Sequence, residues 1–237
     1  MAPVARELAS GWDVLEPIQT ATSLQGQVEE LRTVLENHRD LPVTLIGFSW
    51  GGWLSFIVAA HYPAIIKKLI LVGSGPYEEK YVATLQETRL NRLSEEERTE
   101  FESVVRALSD PTTKGKDTLL ERLGALAAKT DEYDPITDES DESDRVSSQG
   151  GIFQSVWKDA AELRRSGELL ELGKQIKCPV VAIHGDYDPH PAAGVQEPLS
   201  AVLESFRFIL LKNCGHMPWV ERQARDRFYG ILKEELR

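Results

Sequence analysis

The sequence predicts an α/β fold: a parallel sheet of about five strands with a helical lobe inserted into it. Three observations predict it. Short apolar runs alternate with amphipathic stretches over the first third of the chain. Strand-like runs vanish between about residues 76 and 177. The apolar alternation then returns from residue 178 to the end.

The elements follow in order. "WDVLEPI" (12–18) reads as a short strand. "LQGQVEELRTVLENH" (24–38) places Val28, Leu31, Val34 and Leu35 on one helical face. "PVTLIG" (42–47) is a buried-type strand, and "GGWLSFIVAAHY" (51–62) is a helix stopped by Pro63. "KLILVGS" (68–74) is a third strand, and strand–helix alternation of this kind implies a parallel sheet. In the lobe, "SEEERTEFESVVRAL" (94–108) opens with a capping box of Ser94 and Glu97. It puts Phe101, Val104, Val105 and Leu108 on one stripe. "DTLLERLGALAAK" (117–129) and "VWKDAAELRRSGELLEL" (156–172) also read as helices. The acid-rich run "DEYDPITDESDESD" (131–144) reads as a solvated, flexible loop extending to about residue 151. "CPVVAIHG" (178–185) and "FRFILLKN" (206–213) are the last two strands. "PWVERQARDRFYGILKEEL" (218–236) is the last helix, packing Val220, Ala224, Phe228, Ile231 and Leu232. Residues 1–75 and 178–237 therefore form the core and 76–177 the lobe.

Composition narrows the function classes. A net charge of -11 argues against a nucleic-acid surface, and no apolar run approaches the ~18 residues of a membrane span. The start lacks a basic region followed by an apolar stretch, so no signal peptide is expected. Two cysteines, Cys178 and Cys214, suit a reducing compartment and a cytoplasmic protein. They lie at opposite ends of successive parallel strands, too far apart for a disulfide.

The chemistry concentrates in "GFSWGG" (47–52). A strand feeds Ser49 and a helix leaves it, with Gly47 and Gly51 two residues to either side. Such a turn is strained and projects the serine hydroxyl into a cleft at the positive end of the helix. A serine needs a base, and the base needs an orienting acid. Of five histidines, His38 and His61 end helices and His184 sits at a strand end. His216, in "NCGHMPW" just past the last strand, lies where parallel sheets place their chemistry, with His190 its rival. "HGDYDPHP" offers two acids, Asp186 and Asp188. Only one of them can hold the imidazole.

These residues together, "GFSWGG … GSGP … helical lobe … CPVVAIHGDYDPHP … NCGHMPWVE", resemble the α/β-hydrolase superfamily from about residue 12 to the end. The likeness is to its cap-bearing branch of proline iminopeptidases and related esterases. The resemblance implies that the lobe is a cap, that Asp188 is the acid and that the Trp50 N–H meets the oxyanion. It implies an acyl-enzyme route on a small ester or amide, with no metal and no cofactor. Phe48, Met217 and Glu78 are then expected to line the substrate site; Glu78 and Glu79, which open the lobe, read first as a solvated helix start and otherwise as carboxylates that hold a substrate amine. The family also carries earlier strands and a His-Gly loop supplying a second oxyanion donor; here the sheet is amino-terminally truncated and that loop is missing. The resemblance implies that only an N–H near Pro17 to Thr20 would replace it. It also implies that "WDVLEPI" pairs with "PVTLIG", or that a second copy supplies the edge in a homodimer. The alternative reading is a hydrolase-like binding protein or remnant with little turnover, and a longer natural chain with an earlier start is a third. The expected partner is a small acyl substrate, with neither nucleic acid nor membrane.

Overall fold

The computed structural model describes residues 1–37, 40–110, 112–136 and 150–237, with backbone alone for 150–154. Four strands form one parallel sheet: β1 (Val43–Phe48), β2 (Ile66–Val72), β3 (Val180–Gly185) and β4 (Phe206–Leu211). They lie side by side in sequence order, β1-β2-β3-β4. The register brings Phe48 beside Val72, and Gly185 beside Leu211, so the carboxyl ends of all four strands share one edge.

Alternation along the inner strands builds a core on each face. Leu69, Leu71, Val180 and Ala182 face one cluster, with Val28, Leu31 and Leu35 of α2 (Leu24–Glu36) and most of α3 (Trp50–His61). Ile70, Val72, Val181 and Ile183 face the other. There they meet Val4 and Leu8 of α1 (Ala2–Leu8) and Phe228, Ile231 and Leu232 of α10 (Arg225–Glu235). Residues 76–177 contribute helices and no strand among the described residues: α4 (Val82–Arg92), α5 (Glu95–Ser109), α6 (Lys116–Asp131), α7 (Gly150–Ser166) and α8 (Glu168–Glu171). The capping box is present, with Glu97 N–H on Ser94 Oγ at 3.2 Å and Ser94 N–H on Glu97 Oε2 at 3.1 Å. Helix α9 (Ala193–Val202) joins β3 to β4. No helix of the described residues is long and apolar enough to cross a membrane. Both cysteines are free thiols, Cys214 buried and Cys178 half-buried.

Three expectations fail here. Residues 12–18 form no strand, and the sheet has four strands rather than about five. Pro17 has no N–H to donate to a ladder. Val14, Leu15 and Ile18 stand 38%, 46% and 67% exposed. The segment is an extended tie, fastened where Glu30 accepts the Thr20 and Ala21 N–H groups at 2.8 and 3.2 Å. Among the described residues no strand covers the outer edge of β1. The Ser49 N–H points to Val72, so alternation turns Thr44, Ile46 and Phe48 outward, with no backbone partner among the described residues.

The second failure is at residues 131–136, expected in a flexible acidic loop. They are pinned instead. Ile136 N–H donates to Val220 O at 2.7 Å, Arg222 N–H to Asp134 O at 3.0 Å, and Pro135 bridges Glu221. The rest of the acidic run, 137–149, lies outside the described residues, as does His38. The third failure is the last helix, which starts at Arg225 and not at 218. Residues 218–224 are turned so that Glu221 points inward.

Candidate active site

Ser49 sits between β1 and α3 with φ 51° and ψ -119°, a conformation L-residues rarely adopt. Ser49 N–H still donates to Val72 O of β2 at 3.0 Å, and the turn is closed by Gly52 N–H donating to Ser49 O at 2.9 Å. Gly47 is required: a Cβ there would lie 2.3 Å from Gly51 O and 2.7 Å from Ser55 Oγ. A Cβ on Gly51 would meet nothing within 4 Å. Its backbone is what Gly47 must avoid. Ser49 is the N-cap residue of α3, but its side chain makes no capping hydrogen bond, so the hydroxyl is not spent on the helix. Trp50 is the first helical residue, and its N–H has no intrahelical acceptor.

His216 lies on the loop after β4, over the end of β2. A Cβ on Gly73 would lie 2.8 Å from His216 O, 3.1 Å from its Nδ1 and 3.2 Å from Phe48 Cε2. The Phe48 ring stands 4.7 Å from the His216 ring and 4.7 Å from Trp219. Phe48 thus supports the imidazole from below. Met217 is half-buried beside it and packs on the same cluster.

His216 Nδ1 lies 2.7 Å from Asp188 Oδ2. Asp188 is a carboxylate and accepts, so Nδ1 carries a proton, and in the neutral imidazole the lone pair is the one on Nε2. Between the two acids left open by the loop sequence, the geometry selects Asp188. Asp186 instead takes the Cys214 N–H at 3.3 Å and lies 3.5 Å from Lys212 Nζ. His190 is brought to the same carboxylate: its Nδ1 is 2.7 Å and its backbone N 2.9 Å from Asp188 Oδ1. His184 donates from Nε2 to His190 O at 2.7 Å, leaving its buried Nδ1 without a partner. Burial alone would raise the Asp188 pKa. The imidazoles of His216, His190 and His184 outweigh it and hold the group well below the usual carboxylate range.

Sequence reasoning missed the residues that hold this loop. Glu221, fully buried, accepts Gly215 N–H and Tyr133 N–H on Oε1 and Asp134 N–H on Oε2, each at 2.8 Å. His216 N–H donates to Asp131 O at 2.7 Å. Arg89 holds the Asp131 carboxylate with both nitrogens of a fork, its Nε at 2.9 Å. Arg92 donates to Tyr187 O at 2.8 Å and stacks 3.6 Å over the Tyr187 ring. The lobe is therefore bonded to both loops that carry Asp188 and His216. An acid spaced five residues after the histidine was the available signal for Glu221, but a helix was expected there. Glu221→Ala would leave the buried Gly215 N–H and the part-buried Tyr133 and Asp134 N–H groups unpaired, at the lower end of the usual range, about 3 kcal/mol together. The expected melting temperature falls by roughly 6–12 °C, read by differential scanning calorimetry. A drop under about 2 °C overturns the assigned role.

Glu78 is not brought to this site. It pairs with Lys80 at 2.8 Å, and Glu79 pairs with Arg164 at 2.8 Å. Both line an open cavity of about 490 Å³ with Tyr77 and Arg165, which takes in neither Ser49 nor His216. Asp188, His190 and His216 could converge ligand atoms within 4.8 Å of one another. Both imidazole Nδ1 protons are already committed to the carboxylate.

A family model described as alpha/beta hydrolase fold matches residues 20–223. No curated protein sequence matches the chain. Among solved structures the chain is similar to VinJ, with 18% identity and a TM-score of 0.66 over 91% of this chain and 72% of that one. It is similar to an alpha/beta fold family hydrolase from Bacillus anthracis str. Sterne, at 17% identity and TM-score 0.61 over 90% and 73%. It is also similar to a proline iminopeptidase from Mycobacterium smegmatis, at 17% identity and TM-score 0.58 over 91% and 71%. At these identities the likeness is one of fold.

Proposed function

The chain belongs to the α/β-hydrolase fold family, and we propose that within it this protein is a serine hydrolase cleaving a small ester or amide. The observation that carries the reading is the 2.7 Å contact between His216 Nδ1 and the Asp188 carboxylate: in the neutral imidazole it puts the proton on Nδ1 and turns the lone pair of Nε2 to the serine. Ser49 Oγ attacks the acyl carbonyl while Nε2 takes its proton. The proton then passes to the leaving alcohol or amine as the tetrahedral intermediate collapses. Water, deprotonated by the same nitrogen, releases the acid and restores Ser49. The Trp50 N–H, at the positive end of α3, meets the oxyanion. Phe48 and Met217 wall the acyl side, the helices of residues 76–177 act as a cap, and two free thiols suit a reducing compartment. The Glu78 ion pair gives no support to amine recognition.

A second reading, a hydrolase-like protein with little turnover, is favoured by one observation. Thr20, in the segment from which a second oxyanion donor was expected, gives its N–H to Glu30. One such donor is worth roughly 10²–10³ in rate. A fluorophosphonate probe separates the readings. A poised Ser49 labels within minutes at micromolar probe; a folded chain that stays unlabelled supports the second. Short acyl esters assayed beside amino-acid arylamides then assign the substrate class.

A further inference from the structure

The carboxylate that orients His216 holds a second imidazole that the mechanism above does not use. His190 Nδ1–H and His216 Nδ1–H each take one oxygen of Asp188, both at 2.7 Å. The two rings stack with centroids 4.6 Å apart and planes inclined by 26°. His190 is nearly buried, and its main chain is fixed by its own N–H on Asp188 and by His184 on its carbonyl. This is a built pair of donors on one acceptor.

We propose that His190 is a positioning residue that shares the Asp188 carboxylate with His216, and so limits how far an imidazolium at His216 can draw on that charge. The inference rests on His216 being the base.

The physical argument runs through charge. A carboxylate serving one imidazole lends it its whole negative charge and stabilises the protonated form. With a second N–H on the other oxygen, part of that charge is already neutralised. The base therefore stays unprotonated to lower pH. His190 can play this part only if it remains neutral while His216 cycles. Its surroundings ensure that. The groups facing it are Asp188, His184 on β3, His216 and, from the lobe, Arg89 of α4 paired with Asp131 at the end of α6. Burial disfavours its charged form first of all; Asp188 opposes this, while His216 and Arg89 add to it, and the net shift is downward. Two stacked imidazolium rings 4.6 Å apart would also repel, so the proton goes to one ring.

The test compares His190→Phe, which keeps a ring and loses the donor, with His190→Asn, which keeps an N–H toward the carboxylate. The rate of fluorophosphonate labelling is measured from pH 5 to 9. In His190→Phe the acid limb is expected to move up by roughly half to one pH unit. Labelling near pH 6 then falls about 3- to 10-fold, with the rate at pH 8 within about twofold of the parent. His190→Asn should track the parent. A uniform loss at every pH, or identical shifts in both variants, overturns the proposal in favour of plain packing. A separate arm needs neither variant nor activity: nitrogen-correlated proton NMR of the parent chain should show two exchange-protected imidazole Nδ1–H resonances far downfield, distinct from the Nε2–H that His184 places on the His190 carbonyl, and a single Nδ1–H overturns the sharing. If no probe labels at any pH while both resonances are present, the hydrolase reading fails and the shared carboxylate stands.

Discussion

Ser49→Ala is expected to abolish probe labelling and to lower turnover by about four to six powers of ten, with the melting temperature nearly unchanged. The size follows from the role. Among the described residues the thiol at this edge, Cys214, is no rival, since it is buried and burial pushes it far up. The unchanged stability follows from the geometry: the hydroxyl caps no helix, and alanine has the same Cβ and so the same backbone strain at φ 51°. His216→Ala costs as much in rate, and the double variant costs scarcely more, because nucleophile and base act as one unit. Substantial ester turnover by purified Ser49→Ala would show that the reaction does not pass through Ser49.

Asp188→Asn is expected to lower turnover by roughly 10⁴-fold, against less than about tenfold for Asp186→Asn. An amide at 188 keeps one oxygen, which the two His190 N–H groups hold at the Oδ1 place, and puts its NH₂ at the Oδ2 place where His216 now donates. To keep a hydrogen bond, His216 must move its proton to Nε2, which removes the lone pair that would accept the serine proton. Asp186 touches only the Cys214 N–H and the neighbourhood of Lys212, so its amide keeps the loop and spares the imidazole. The two variants assayed side by side decide the matter, and a larger loss from Asp186→Asn would reverse the assignment.

The parts of this molecule that could be read from the sequence are those governed by local rules. The β1–Ser49–α3 turn was legible because apolar runs and glycines sit at short, fixed spacing. The capping box at Ser94 and the apolar stripe of α10 were legible for the same reason. Residues 12–18 were misread because an apolar run with Pro17 looks like a strand until its neighbour is known. Whether it pairs is decided by the whole sheet. Helix α4 buries no residue, so it carries no stripe, and its arginines matter only through Asp131 and Tyr187. Glu221 and His190 act across long gaps in sequence or through a shared acceptor, and no periodicity announces either.

The strained turn at Ser49 also bears on the choice between an enzyme and a remnant. A residue held at φ 51° and ψ -119° works against folding by about 1–3 kcal/mol, a sizeable share of the 5–15 kcal/mol that keeps a typical domain folded. Glycine at that position would relieve the strain, since it accepts positive φ freely. A lineage that had stopped using the hydroxyl would gain stability from that single replacement, and mutational drift would have nothing to set against it. The chain instead keeps serine at the strained position, with Gly47 cleared behind it. On the serine-hydrolase reading proposed above, the hydroxyl held in that place is what balances the cost.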